Sequence, residues 1–282
     1  MIVRKTAKSI FRKDTGAYKP GTRNYRHDKH ELSDLEEVAK NKENRAKLDR
    51  GGFIVNNKLV HPTYSINDYG FRCNKFHKKS TGIVTLGCSD TFGEYQFLEK
   101  TWPSILSSYL DQECWNLASC GGDIGLNYVN FFKYSKFIKF DKVFILIPSP
   151  YRELYYKEHN SKLTTRQFNY KGDKYYRQIH NNYNPSVKTL KELHLHDMDK
   201  VTDDLNRMFY INSYLEAIQG LAKKNNAKVY FTPNINYFNK DSIVLKEFPK
   251  KQNPLNLAND LVHTGSTFQK IIADYFIKKL RN

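Results

Sequence analysis

Two short segments about 170 residues apart carry the residue types that nucleophilic catalysis needs. Gly87-Cys88-Ser89-Asp90-Thr91-Phe92-Gly93 directly follows the apolar run Ile83-Val84-Thr85-Leu86, and Asp260-Leu261-Val262-His263 directly precedes a periodic amphipathic stretch. A serine hydroxyl is a weak nucleophile until a base takes its proton, and an imidazole base works best when a carboxylate orients it. Asp260 and His263 are three apart, so on one turn the carboxylate can hold one imidazole nitrogen while the other faces a serine. Ser89, flanked by Gly87 and Gly93, falls where a strand meets a turn. Such a turn can expose a hydroxyl at the sheet's edge and aim backbone N–H groups at an anion. Alone, the first segment is also an ordinary Gly/Ser turn and the second an ordinary helix cap. Together they point to acyl transfer through serine.

These groups need a scaffold, and the pattern from residue 82 onward supplies one. Apolar strands are expected at 83–86, 114–118, 142–147 and 227–231, and helices at 99–110, 124–138 and 201–224. The last helix carries Phe268, Ile271, Ile272, Tyr275 and Phe276 at helical spacing. Strands apolar on both faces and separated by helices imply a parallel sheet covered on both sides. The expected fold class is therefore α/β: a three-layer α/β/α sandwich with a mostly parallel, flavodoxin-like sheet. Ligands in such sheets lie beyond the carboxyl ends of the strands. Ser89, Gly121, Pro148 and Pro233 each follow a strand, so their loops should converge on one face.

Two regions fall outside that alternation. Residues 1–76 read as a basic arm (to about 32), a helix and a lead-in segment, with 77–282 as the main domain. Ser33-Asp34-Leu35-Glu36 is a capping box, and its helix should run to about Asp49. Short strand-like pieces at 53–55 and 64–66 precede a turn at 67–72. The stretch 151–198 reads as an insertion of little periodicity, a candidate wall or lid. Its interleaved Tyr151, Arg152, Tyr155, Tyr156 and Arg166 suit stacking on sugars and pairing with anions. They suit equally a surface excursion whose tyrosines pack on one another.

The formal charge is +17, from 46 Lys and Arg against 29 Asp and Glu. That balance favours an anionic partner, by way of the basic arm for example. A Lys- and Asn-rich composition spread for solubility accounts for it as well. The lysines are dispersed and no nucleic-acid-binding signature appears, so nucleic acid is not the expected partner. No apolar run reaches 18 residues and no apolar stretch follows Met1-Ile2-Val3-Arg4-Lys5, so neither a membrane span nor a secretory signal is expected. A cytoplasmic setting follows as the expectation, with a virion-associated one left open. Cys73, Cys88, Cys114 and Cys120 show no zinc spacing and are expected as free thiols, with a Cys88–Cys120 disulfide left open. His194-x-His196-Asp197 reads as a polar helix end, and His61 and His77 have no evident partner. No metal is expected, and without a Gly-rich phosphate loop no nucleotide cofactor either.

The chain resembles the SGNH (GDSL-type) hydrolases over roughly residues 60–147 and 225–280. Gly87-Cys88-Ser89 with Thr91-Phe92-Gly93 looks like that family's first block, with Cys88 where Asp is common. Thr101-Trp102-Pro103 and Asn116-Leu117-Ala118-Ser119-Cys120-Gly121 look like the approach to its second block, and Asp260-Leu261-Val262-His263 like its fifth. The segment Ile66-Asn67-Asp68-Tyr69-Gly70-Phe71-Arg72 is similar to one often found upstream. The resemblance implies Ser89 as nucleophile, His263 as general base, Asp260 as its orienter, and the N–H groups of Ser89 and Gly121 as oxyanion donors. The third block departs: Pro148-Ser149-Pro150-Tyr151-Arg152-Glu153 stands where the family has Gly-x-Asn-Asp. Losing one oxyanion donor typically costs about 10²–10³ in turnover. Arg152, or Asn234 or Asn236 after the fourth strand, is the candidate replacement.

The expected function is thus a cofactor-free serine esterase acting on O-acyl groups of a carbohydrate, with Tyr151, Arg152 and Tyr155 contacting substrate. The alternative is a binding or structural protein that keeps the fold with little chemistry, for which a phage origin would fit the composition.

Overall fold

The computed structural model describes residues 21–24, 40, 42–149, 152–157, 162–171, 174–179, 200–232 and 265–282. In chain order its elements begin with β1 (Gly21–Asn24), α1 (Lys42–Gly51), the pair β2 (Ile54–Val55) and β3 (Lys58–Leu59), and β4 (Thr63–Ile66). The chain continues with β5 (Gly82–Leu86), α2 (Ser89–Phe92), α3 (Trp102–Leu110), β6 (Cys114–Asn116), α4 (Ile124–Tyr134) and β7 (Phe140–Leu146). Then come β8 (Arg152–Lys157), β9 (Lys162–Lys171), β10 (Lys174–Ile179), α5 (Lys200–Lys224), β11 (Lys228–Thr232) and α6 (Ser266–Arg281).

The central sheet has the order β11-β7-β5-β6, and all its pairs are parallel. Side chains alternate across a strand, and here each set meets its own helix layer. Val84, Leu86, Val143 and Ile145 pack with Phe131 and Tyr134 of α4 and Ile211, Leu215 and Ile218 of α5. Ile83, Phe144 and Leu146 pack with Trp102 and Leu106 of α3 and Ile272, Ala273 and Phe276 of α6. Two-sided burial is why these strands read as continuous apolar runs, and the three-layer α/β sandwich is the fold. Each large side chain fully buried this way stabilises by about 1.5–3 kcal/mol.

Several expectations need adjustment. The helix expected over 99–110 is broken: Leu98–Lys100 is a 3-10 turn, and α3 starts at Trp102. Pro103 explains the restart, because a residue without an N–H is tolerated in a first turn and not in an interior. The helix expected to run to 138 ends as α at Tyr134 and tightens into a 3-10 turn over Ser135–Phe137. Ser33 lies outside the described residues, where the helix first appears at Lys42.

The stretch read as weakly periodic holds a three-stranded antiparallel sheet, β10-β9-β8. Its Tyr, Thr and Phe content suits strands. Lys171 pairs with Lys174, so only Gly172 and Asp173 separate β9 from β10, a recognisable hairpin spacing. His77, expected to lack a partner, pairs through Nε2 with Glu113 Oε2 at 2.9 Å. All four cysteines are free, so the disulfide left open is not formed. Among the described residues no helix is long and apolar enough to cross a membrane.

Candidate active site

From β5 the chain crosses to β6 on one side, then returns past β5 to β7 on the other. Connections that part in this way leave a crevice beyond the carboxyl ends of the two strands, the usual ligand position in such sheets. Ser89 opens α2 just past β5, Gly121 follows β6, and Arg152 follows β7.

The turn into α2 is tightly packed. A Cβ on Gly87 would lie 1.9 Å from Thr91 Oγ1 and 3.1 Å from the Leu146 carbonyl at the end of β7, so glycine is required there. The Gly87 N–H donates to Asn127 Oδ1 on α4 at 3.0 Å. The Cys88 carbonyl accepts from the N–H groups of Thr91 and Phe92, and Gly93, at φ 76°, ends the helix by donating to the Ser89 carbonyl. Ser89 is only 7% exposed. Neither its hydroxyl nor its N–H has a hydrogen-bond partner among the described residues.

Outside elements hold α2 from three more directions. Asn67 Oδ1 accepts from the N–H groups of Tyr69 and Phe71, which shapes the 67–72 turn. That turn delivers buried Arg72, whose guanidinium donates to the carbonyls of Gly93 at 2.5 Å and Gln96 at 2.8 Å. The same guanidinium lies 4.0 Å over the Tyr64 ring. A cation among carbonyls at a helix C-terminus is a favourable placement. Asn116 Nδ2 donates to the Thr91 carbonyl at 2.9 Å. Gln269, in the first turn of α6, donates through Nε2 to the Asp90 carbonyl at 3.0 Å and accepts the Trp102 N–H through Oε1 at 2.9 Å.

The facing turn is built around Gly121 and Asp123. Gly121 has φ 71°, and among the described residues no atom lies within 4 Å of where its Cβ would be. Asp123 caps α4: Oδ1 accepts the Leu126 N–H at 2.8 Å, and Oδ2 accepts the Tyr210 hydroxyl of α5. Burial pushes this carboxyl up despite those hydrogen bonds, which pull it down. Arg152 Nη1 donates to the Gly122 carbonyl at 3.4 Å, while its buried Nε has no partner among the described residues.

The structure therefore brings Ser89, Gly121 and Arg152 to one end of the sheet. Tyr155 lies on β8, paired in register with Thr164. Asp260, His263, Tyr151, Asn234 and Asn236 lie outside the described residues, as do His194, His196 and Asp197. Asn127, Asp123 and Gln269 were not singled out from sequence. Asp123 had a usable signal, an N-cap residue type just before an apolar helical run. Asn127 and Gln269 interrupt apolar helix faces, which only a search for buried polar residues would have flagged. Among the described residues no group of three or more His, Cys, Asp or Glu could hold a metal ion.

No family model matches the chain, and no curated protein matches it at a significant level. Solved structures do align with it. A lipolytic protein of G-D-S-L family from Desulfitobacterium hafniense DCB-2 has a TM-score of 0.38 and 13% identity, covering 70% of this chain and 98% of that one. An acetyl xylan esterase from the rumen bacterium Butyrivibrio proteoclasticus has a TM-score of 0.41 and 10% identity, covering 74% of this chain and 66% of that one. Both are distant in sequence and loose in superposition, and what they act on is a property of those proteins.

Proposed function

We propose that the protein is a serine ester hydrolase with Ser89 as nucleophile, His263 as general base and Asp260 as its orienter. One observation carries this reading. Gln269 bonds the Asp90 carbonyl, next to Ser89, and belongs to the helix that begins three residues after His263. Three residues of chain span at most ~10 Å. The start of α6 is thus tied to the nucleophile turn, within chain reach of the Asp260-x-x-His263 segment. The site's place at the parting of the strand connections adds support, as does a Ser89 hydroxyl with no hydrogen-bond partner among the described residues.

In this mechanism His263 takes the Ser89 proton as Oγ attacks the acyl carbon. The N–H groups of Ser89 and Gly121 receive the oxyanion, and the tetrahedral intermediate collapses as His263 protonates the leaving alcohol. Water, deprotonated by His263, then attacks the acyl-enzyme, and His263 passes that proton to Ser89 Oγ as the acid leaves. The aromatic and basic residues of β8–β10 motivate an O-acylated carbohydrate as substrate, with an anionic one favoured by the +17 charge.

A second reading keeps the fold as a binding or structural scaffold. The segment Pro148-Ser149-Pro150 after β7, which lacks an asparagine donor, favours it. Labelling with a fluorophosphonate, read by intact mass, separates the two. Hydrolysis predicts a single adduct on the wild type, none on Ser89→Ala, and nearly equal melting temperatures. A well-folded wild type that takes no adduct would support the scaffold reading.

A further inference from the structure

We infer that Asn127 is a positioning residue for Ser89, acting through the Gly87 peptide; this rests on the serine-hydrolase reading. Asn127 lies in α4, on the far side of the loop that carries Gly121, yet its side chain reaches across to the nucleophile turn. Its Oδ1 accepts the Gly87 N–H at 3.0 Å, and the residue is 1% exposed. Gly87 is two residues before the nucleophile. The peptide it anchors sets the direction in which the chain leaves β5 and enters α2.

The other half of the amide shows what this arrangement serves. Asn127 Nδ2 is buried and has no hydrogen-bond partner among the described residues. A buried donor left unsatisfied carries the desolvation penalty of that group. Turning the amide over does not remove that cost, because Nδ2 would then face the Gly87 N–H, donor against donor. An apolar side chain would avoid the orphan donor and pack well in α4, whose neighbouring Leu126, Val129 and Phe131 are buried. What the asparagine supplies and an apolar residue lacks is an acceptor for the Gly87 N–H. Such local violations are expected where function demands them.

The anchor matters because Gly87 has no side chain of its own to hold it. Its room is set by Thr91 Oγ1 and the Leu146 carbonyl, which exclude a Cβ but do not bond its N–H. Without Asn127 that N–H would lose its acceptor, and the Gly87 peptide would lose the hydrogen bond that fixes its orientation ahead of Ser89. A displacement of about 1 Å at a nucleophile can cost about 10²-fold in rate.

The test compares wild type, Asn127→Leu and Asn127→Asp. Measured are kcat and KM on an activated ester, fluorophosphonate labelling rate, and melting temperature, with Ser89→Ala as the blank. Asn127→Leu removes the acceptor; Asn127→Asp keeps an acceptor oxygen in the same place. The expected result is a fall in kcat and labelling rate of about 10- to 100-fold in Asn127→Leu. KM should stay within about twofold, as expected when reacting-group geometry rather than substrate binding is disturbed. Asn127→Asp should recover most of the lost rate. A folded Asn127→Leu that labels as fast as wild type overturns the inference while leaving the hydrolase reading intact. So does an Asn127→Asp no faster than Asn127→Leu, since the amide donor would then be what matters. A folded wild type that neither labels nor turns over overturns the hydrolase reading itself, and the inference with it.

Discussion

Asp123 carries a carboxyl that the fold makes costly to ionise. Desolvation raises it above its ordinary 3.8, with the hydrogen bonds from Tyr210 and the Leu126 N–H opposing. A raised carboxyl means that the folded chain holds a proton that the unfolded chain has already released. Stability present in acid is therefore lost as pH rises from the ordinary carboxylate range through the raised folded value. Asp123→Asn keeps an acceptor for Leu126 and cannot ionise. Its melting temperature should gain on that of the wild type as pH climbs through this window. A difference independent of pH would show that the carboxylate is not disfavoured there. The buried thiols are shifted in the same direction: burial pushes Cys114 up to about 12 and Cys73 higher still. Both should resist alkylation at pH 8 in the native protein and react on unfolding, as intact mass would show.

At the scale of elements, the short helix α2 depends on the parts around it. A four-residue helix has little stability of its own. It is held by Arg72 from the lead-in segment, Asn116 from the end of β6, Asn127 from α4 and Gln269 from α6. Gln269 bridges the buried Trp102 N–H and the part-buried Asp90 carbonyl, so Gln269→Leu would take a partner from each. Unfolding in urea should show a loss of about 1–3 kcal/mol from the buried N–H left without its acceptor. A loss near zero would mean the bridge is not needed. These holds explain how legibility divided. The strand runs at 83–86 and 142–147 were plain, because two-sided burial leaves a continuous apolar mark. The serine turn was plain because glycines flanked it. Asn127 and Gln269 were not, because a buried polar residue is written like any surface one, and its partner lies 40 or 179 residues away. The β8–β10 sheet was missed although its hairpin signal, Gly172-Asp173, was in plain view.

For the whole molecule, charge is the property with a consequence for substrate. A net +17 attracts anions over distances that salt screens, with a Debye length of about 8 Å at physiological ionic strength. For an esterase with this field, kcat/KM on an anionic ester should fall steeply as salt rises, while that on a neutral isostere stays nearly flat. Parallel salt profiles for the two would remove charge from the account of substrate choice. Composition and pattern alone established the charge, the sandwich and the serine turn, because these follow from residue type and local periodicity. Tertiary structure alone decided which side chains hold Ser89 and its turn in place: Arg72 beneath the helix, Gln269 behind it, Asn127 on the peptide before it. Each is a hydrogen bond between residues remote in sequence, and such a bond has no local period or spacing to announce it.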